Sequence, residues 1–174
     1  VQVAGWSTGG YGNYVIIYHG KMSDGNQYST LYGHMRSVAT SAGTVERIVC
    51  GISSTHNIQI AQRGDNTTAR WQMYATNSKV TSTIAAVAAQ WVIIVAYFNG
   101  ASGSYIRVNG VQESIADPGP YDLTGLTMGA AEGQASALWP GDIADFRVYE
   151  GTLTAAERTA VEVALADKFG ITLP

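Results

Sequence analysis

Trp91-Val92-Ile93-Ile94-Val95-Ala96-Tyr97-Phe98 is apolar at nearly every position. A strand with no polar face is buried on both sides, so this run reads as a central strand of a sandwich. After it, Asn99-Gly100-Ala101-Ser102-Gly103 is long enough for a hairpin with a bulge or short loop. Tyr105-Ile106-Arg107-Val108 then alternates, with Ile106 and Val108 on one face and Arg107 on the other. Asn109-Gly110 opens a tight turn, because both residues tolerate positive φ.

Working outward, 20 glycines and abundant Ser, Thr and Asn punctuate short β-branched and aromatic runs. The expected strands are Asn13–His19, Ser29–His34, Arg47–Ile52, Asn57–Gln62, Arg70–Ala75, Trp91–Asn99, Ser104–Asn109, Leu126–Gly129 and Ile143–Tyr149. One helix stands out. Thr154 sits at the N-cap position and Glu157 three residues on, which makes a capping box. Ala156, Ala160, Val161, Ala164 and Leu165 recur at helical spacing, and Gly170 is placed to end the helix. Its expected job is to cover an edge or face of the sheet.

The length of 174 residues suits one domain, and no repeat or low-complexity linker divides it, so residues 1–174 are expected to form a single sandwich. Hydrophobic residues at 46% supply a sizeable core, while charged residues at 13% are about half the usual share. A net charge of −3 argues against nucleic acid as a partner, since phosphate contacts need a clustered basic surface. The apolar stretch from Ile84 to Phe98 is broken by Gln90 and is too short to span a bilayer. A single cysteine, Cys50, excludes an internal disulfide framework and a cysteine-based zinc site, and reads as a small buried hydrophobe. A start at Val1 suggests a fragment or processed chain, with no visible signal peptide.

Two family resemblances cover different stretches. The second half, about 71–174, resembles the laminin-G-like, concanavalin A-like sandwiches of bacteriophage and bacterial surface proteins. The likeness is carried by Trp91 to Gly100 and by Tyr105-Ile106-Arg107-Val108-Asn109-Gly110. It continues through Leu126-Thr127-Met128-Gly129 and Gly141-Asp142-Ile143-Ala144-Asp145-Phe146-Arg147-Val148-Tyr149. Leu153-Thr154-Ala155-Ala156-Glu157-Arg158 and Lys168-Phe169-Gly170-Ile171 close the series. It implies an all-β jelly-roll of two antiparallel sheets with one C-terminal helix, its missing strands supplied by the first seventy residues.

Residues 5–45 resemble a segment of the lysostaphin-type zinc endopeptidases that cut peptidoglycan cross-bridges. Here the likeness rests on Gly5-Trp6, Gly9 to Ile17, His19-Gly20, Tyr28-Ser29-Thr30-Leu31-Tyr32-Gly33-His34-Met35 and Ser41-Ala42-Gly43-Thr44-Val45. It makes His34 the match to a histidine beside the metal-bound water. The family's His-x-x-x-Asp pair has no counterpart, and where its His-x-His should stand only His56 of Ser54-Thr55-His56-Asn57 remains. Catalytic zinc takes three protein ligands and one open position. His34 and His56 are therefore remnant candidates, and the expectation is no metal and no cofactor.

The three histidines, His19, His34 and His56, read otherwise as half-buried or turn residues. Arg63-Gly64-Asp65 reads as a polar hairpin turn with Gly64 at the unusual dihedral, and Asn66-Thr67-Thr68 fits a glycosylation pattern relevant only to a secreted chain. Glycoside hydrolysis needs two carboxyl groups flanking the bond. Asp142 and Asp145 are close in sequence but begin a strand where the sandwich family carries a structural acid, and Glu132, Glu150 and Glu157 show no partner. Sugars stack on aromatic rings, and with ten Tyr and four Trp the candidate ligand-binding residues are Trp71, Tyr74, Tyr121 and Trp139, outside the strongest core run.

The expected function is that of a non-catalytic binding or structural module of a phage virion (tail, fibre or head decoration) or a bacterial surface protein. It would meet glycan, neighbouring subunits or copies of itself at the virion or cell surface. The alternative is a degenerate or incomplete peptidoglycan zinc endopeptidase.

Overall fold

The computed structural model describes residues 2–4, 14–22, 28–29, 34–35, 45–50, 59–64, 69–75, 79–87, 90–113, 115–119, 125–129 and 141–174. In chain order the elements are β1 (Gln2–Ala4), β2 (Tyr14–Met22), β3 (Tyr28–Ser29), β4 (His34–Met35), β5 (Val45–Cys50), β6 (Gln59–Gly64) and β7 (Ala69–Tyr74). Then come β8 (Lys79–Ala85), β9 (Trp91–Phe98), a single helical turn α1 (Gly100–Gly103), β10 (Tyr105–Val108) and β11 (Val111–Gln112). β12 (Gly125–Met128), β13 (Gly141–Glu150) and α2 (Ala155–Phe169) complete the chain. One sheet has the order β1-β12-β5-β6-β7-β8 and the other β11-β10-β9-β2-β13, with β3 and β4 forming a separate ladder. This is the all-β jelly-roll sandwich with a C-terminal helix that the sequence leads one to expect.

β9 shows why the fold closes. It lies between β10 and β2, and every residue from Val92 to Phe98 is buried. Val92, Ile94, Ala96 and Phe98 pack between the sheets with Trp71, Met73, Val80, Ile106 and Val108. Ile93, Val95 and Tyr97 point the other way and pack with Ile17, Tyr105 and, on α2, Leu165 and Ala166. At about 1.5–3 kcal/mol for each large apolar side chain fully buried, this strand anchors both layers. The N-terminal part of the chain supplies strands to both sheets. β2, which falls inside the peptidase-like stretch, is a sandwich strand paired along its length with β9 and β13.

Several details depart from expectation. β8 is not among the expected strands, yet Val80 and Ser82 are buried along it. β1 and β11 are too short for any periodicity to show. The expected strand Ser29–His34 is instead two short strands, Tyr28 opposite Met35 and Ser29 opposite His34. The 99–103 connection contains α1, tied by Ser104, whose Oγ donates to the Gly100 carbonyl at 2.6 Å and accepts from Asn99 N–H at 2.9 Å. Arg63 and Gly64, expected in a hairpin turn, end β6 opposite Arg70 and Ala69, and Asp65 lies outside the described residues. The Asn109-Gly110 turn forms as read, with φ of 48° and 82°.

The capping box of α2 is present: Glu157 N–H donates to Thr154 Oγ1 and the Glu157 carboxylate accepts from Thr154 N–H. Gly170 ends the helix in the left-handed conformation at φ 67°. Of the expected series, Leu165 is buried and Val161 packs beside it. Ala156, Ala160 and Ala164 are exposed, while Glu162, Leu165 and Ala166 are buried. Leu165, with Ala166 beside it, packs on the sheet, and Arg107 on β10 draws Glu162 inward on the same side.

The open side between the edge strands is closed by Glu113. Its carboxylate accepts from Ser82 Oγ at 2.8 Å, Thr83 Oγ1 at 2.9 Å and Ile84 N–H at 3.2 Å, joining the segment after β11 to β8. Burial pushes this carboxyl up, but the hydrogen bonds from Ser82, Thr83 and Ile84 outweigh it and hold the group below its ordinary 4.5. A depressed carboxylate contributes stability that is present above the unfolded value and lost as pH falls through the folded one. Acid titration of the thermal midpoint should therefore fall more steeply below about pH 4.5 in the wild type than in Glu113→Gln. Parallel curves would remove Glu113 from the seam.

Candidate functional site

One end of the five-stranded sheet brings an aromatic residue and charged residues into a single row. Asp142 on β13 stands opposite Lys21 on β2, and Lys21 opposite Trp91 on β9. The next row is Asp145, His19 and Ile93, with a bulge between Ile143 and Asp145 that brings both aspartates to the same face. Trp91, the first residue of β9, is 38% exposed. Asp142 is also exposed.

Behind this row the charges are organised. Arg147 donates to Asp145 through Nε at 2.8 Å and Nη2 at 3.2 Å, and Lys168 at the end of α2 lies 3.7 Å from the same carboxylate. Hydrogen bonds to Asp145 and then Tyr149 hold the Arg147 guanidinium firmly in its charged form. Both Asp145 oxygens are thus engaged by cations, which suits the structural acid expected there rather than a proton donor to a glycosidic oxygen. The arrangement offers an aromatic ring, an exposed carboxylate and a lysine position in one row. That combination suits a polyhydroxyl ligand, whose C–H face stacks on the ring while its hydroxyls bond the charged groups.

The residues expected from sequence are distributed differently. Trp71 is 2% exposed and packs in the inter-sheet core, so its ring offers no stacking face. Tyr74 ends β7, opposite Gln59 and Lys79. His34 lies on β4 opposite Ser29. His56, Tyr121 and Trp139 lie outside the described residues. Among the described residues, no group of three or more His, Cys, Asp or Glu could hold a metal ion.

Trp91 was hidden in sequence by the apolar run it begins; the polar Gln90 before it marks the strand's end and is the available signal. A shallow cavity of about 60 Å³ lies at the same end, on the inter-sheet side, floored by Trp71, Val92 and Val108 and rimmed by Val87, Gln90 and Asn109. Pockets that engulf small molecules measure roughly 300–1,000 Å³, so this one does not enclose a ligand.

A second polar cluster lies under α2. Glu162, 1% exposed, meets Arg107 Nε at 3.1 Å and Arg158 Nε at 4.0 Å. Arg158 also donates to the Tyr105 hydroxyl and lies 5.5 Å from that ring's centroid, and Tyr105 stacks on Tyr97 at 4.7 Å. Burial pushes the Tyr105 hydroxyl up against the pull of Arg158. This cluster pins helix to sheet.

A family model described as the concanavalin A-like lectin/glucanases superfamily matches residues 9–157, running through both halves of the chain. Among solved structures, the native heptameric SAP-like pentraxin from Limulus polyphemus superposes with a TM-score of 0.61 at 13% identity, covering 92% of this chain and 74% of that one. The botulinum neurotoxin serotype D ligand binding domain, in complex with N-acetylneuraminic acid, gives 0.57 at 13% identity, covering 93% and 37%. The serotype G binding domain gives 0.57 at 12% identity, covering 89% and 37%. At these identities the likeness is one of fold, and this chain spans little more than a third of the toxin domains. Compared with curated proteins, the sequence matches none. With the matched residues forming both sheets, the chain belongs to the concanavalin A-like lectin/glucanases superfamily.

Proposed function

We propose that the chain is a non-catalytic carbohydrate-binding module that contacts glycan through the Trp91–Lys21–Asp142 row. The observation that carries this reading is Trp91, 38% exposed in register with Lys21 and Asp142 at the start of the central strand. A large aromatic on a strand loses little freedom on binding and supplies most of the contact energy in such shallow sites. The complex of a fold neighbour with N-acetylneuraminic acid supports a saccharide as ligand class. The likeness of residues 71–174 to phage and bacterial surface sandwiches supports a place on a virion or cell surface. A heptameric fold neighbour supports self-association as a further property.

The test is a glycan array followed by titration of the best ligand against wild type and Trp91→Ala. The variant should bind about tenfold or more weakly when measured well below its own unfolding transition. Equal binding by the variant, or no glycan bound at all, overturns the reading. Stoichiometric zinc with cross-bridge cleavage by the same sample would replace it with the endopeptidase alternative.

A further inference from the structure

We propose that the chain pairs with a second copy of itself along β13, joining two five-stranded sheets across a two-fold axis at Phe146. This gives the self-association raised above a surface; it rests on that part of the reading and not on glycan binding. β13, with ten residues, is the longest strand described, and it ends its sheet. Among the described residues, β2 alone pairs with it. A strand at the end of a sheet presents a row of N–H and C=O groups, and the partner that fits such a row is another strand. The helix leaves this margin free: the buried residues of the helix-side cluster belong to β2, β9, β10 and α2, none to β13.

The side chains of β13 carry the mark of a margin. Ile143, Phe146 and Val148 turn to the inter-sheet core, yet each is only half-buried. On the same side of β9, Val92, Ile94, Ala96 and Phe98 are fully buried. The inner residues of β13 have a neighbouring strand on one side, and a second copy would supply it on the other.

Charge then selects both the partner and the register. Asp145 and Arg147 lie on the helix face with Tyr149, joined to each other at 2.8 Å. Directly opposed residues of an antiparallel pair share a face, so a two-fold pairing must centre on a residue to keep apolar against apolar. Centred on Asp145 or on Arg147, that residue faces its own like charge, which destabilises the pair. Centred on Val148, neither charged residue meets an opposite charge. Centred on Phe146, Asp145 of each copy faces Arg147 of the other, and symmetry makes the contact twice. The two Phe146 rings then meet on the axis, each covering the other's open side. Lys168, 3.7 Å from Asp145, and the exposed Asp142 add one charge of each sign to this margin, so the copies meet without net repulsion. The bulge between Ile143 and Asp145 blunts the first part of the edge and keeps the ladder short. The product is a weak dimer that goes no further, because pairing uses up the edge.

The test is sedimentation equilibrium of the full chain from about 10 μM to about 1 mM, with hydrogen exchange at both ends of that range. Wild type should pass from monomer to dimer, more weakly at high salt, and the amides of β13 should gain protection as it does. Asp145→Lys and Arg147→Glu, each placing like charges across the axis, should self-associate about tenfold or more weakly than wild type. An equimolar mixture of the two should recover the dimer, since two cations then face two carboxylates; lost folding would not be recovered by mixing. Trp91→Ala should dimerise as wild type does, so failure of the glycan reading and failure of this one are separately visible. Wild type that stays monomeric overturns the proposal, as does assembly beyond two. A dimer that leaves β13 exchange unchanged overturns it whether or not the variants fold, and so does a mixture of folded variants that associates no better than either alone.

Discussion

Glu162→Ala should lower the stability of the folded chain by about 3–5 kcal/mol, read as a fall of roughly 6–20 °C in the thermal midpoint. The reason is what the substitution leaves behind. Arg107 and Arg158 have side chains only 14% and 11% exposed, and Glu162 is the carboxylate that both approach. Removing it strands two guanidinium groups between a helix and a sheet, where neither regains full hydration. Arg107 keeps one bond to the Gly110 carbonyl at 2.6 Å, and Arg158 keeps the Tyr105 hydroxyl, so the loss is large without being total. Glu162→Gln, which retains an acceptor but no charge, should fall between wild type and alanine. A double-mutant cycle with Arg107→Met isolates the pair, because Arg107 reaches Glu162 from a strand 55 positions away. A loss under 1 kcal/mol for Glu162→Ala would mean that the helix is held by its apolar contacts alone.

That cluster also shows which parts of the molecule can be read from a linear sequence. The central strand, the Asn109-Gly110 turn and the Thr154–Glu157 cap are local: each is decided by a handful of adjacent residues, and each forms as read. Glu162 is not of that kind. With Arg158 one helical turn before it, it looks like an exposed i,i+4 pair, and only the arrival of Arg107 on β10 turns it inward. The tryptophans make the same point in opposite directions. Trp91 sits in the most apolar run of the chain and is exposed, while Trp71 sits among polar residues and is buried. Side-chain alternation follows from sequence, but where a sheet ends and what covers it follow from strand order.

Trp71→Ala should destabilise the chain by about 3–5 kcal/mol, and the size of that loss separates two accounts of the residue. As a ligand platform, Trp71 would be dispensable for folding, and its removal would cost binding alone. As placed here, 2% exposed among Met73, Val92, Ile94 and Val108, it fills the space between the sheets at one end of the sandwich. Deleting the indole loses its transfer free energy and enlarges the 60 Å³ hollow that it already floors. Because that hollow opens toward solvent at the rim of Gln90 and Asn109, water can enter part of the new space, which favours the lower end of the range. Trp71→Phe, keeping an aromatic ring in place, should recover a substantial part of the loss. The measurement is denaturant unfolding of the three proteins, with the midpoint falling and the slope unchanged if the folded and unfolded states keep their exposed areas. Glycan affinity, measured well below the unfolding transition, should stay near wild type in both variants. A Trp71→Ala protein as stable as wild type but unable to bind glycan would move the binding surface from the Trp91 row to the inter-sheet cavity.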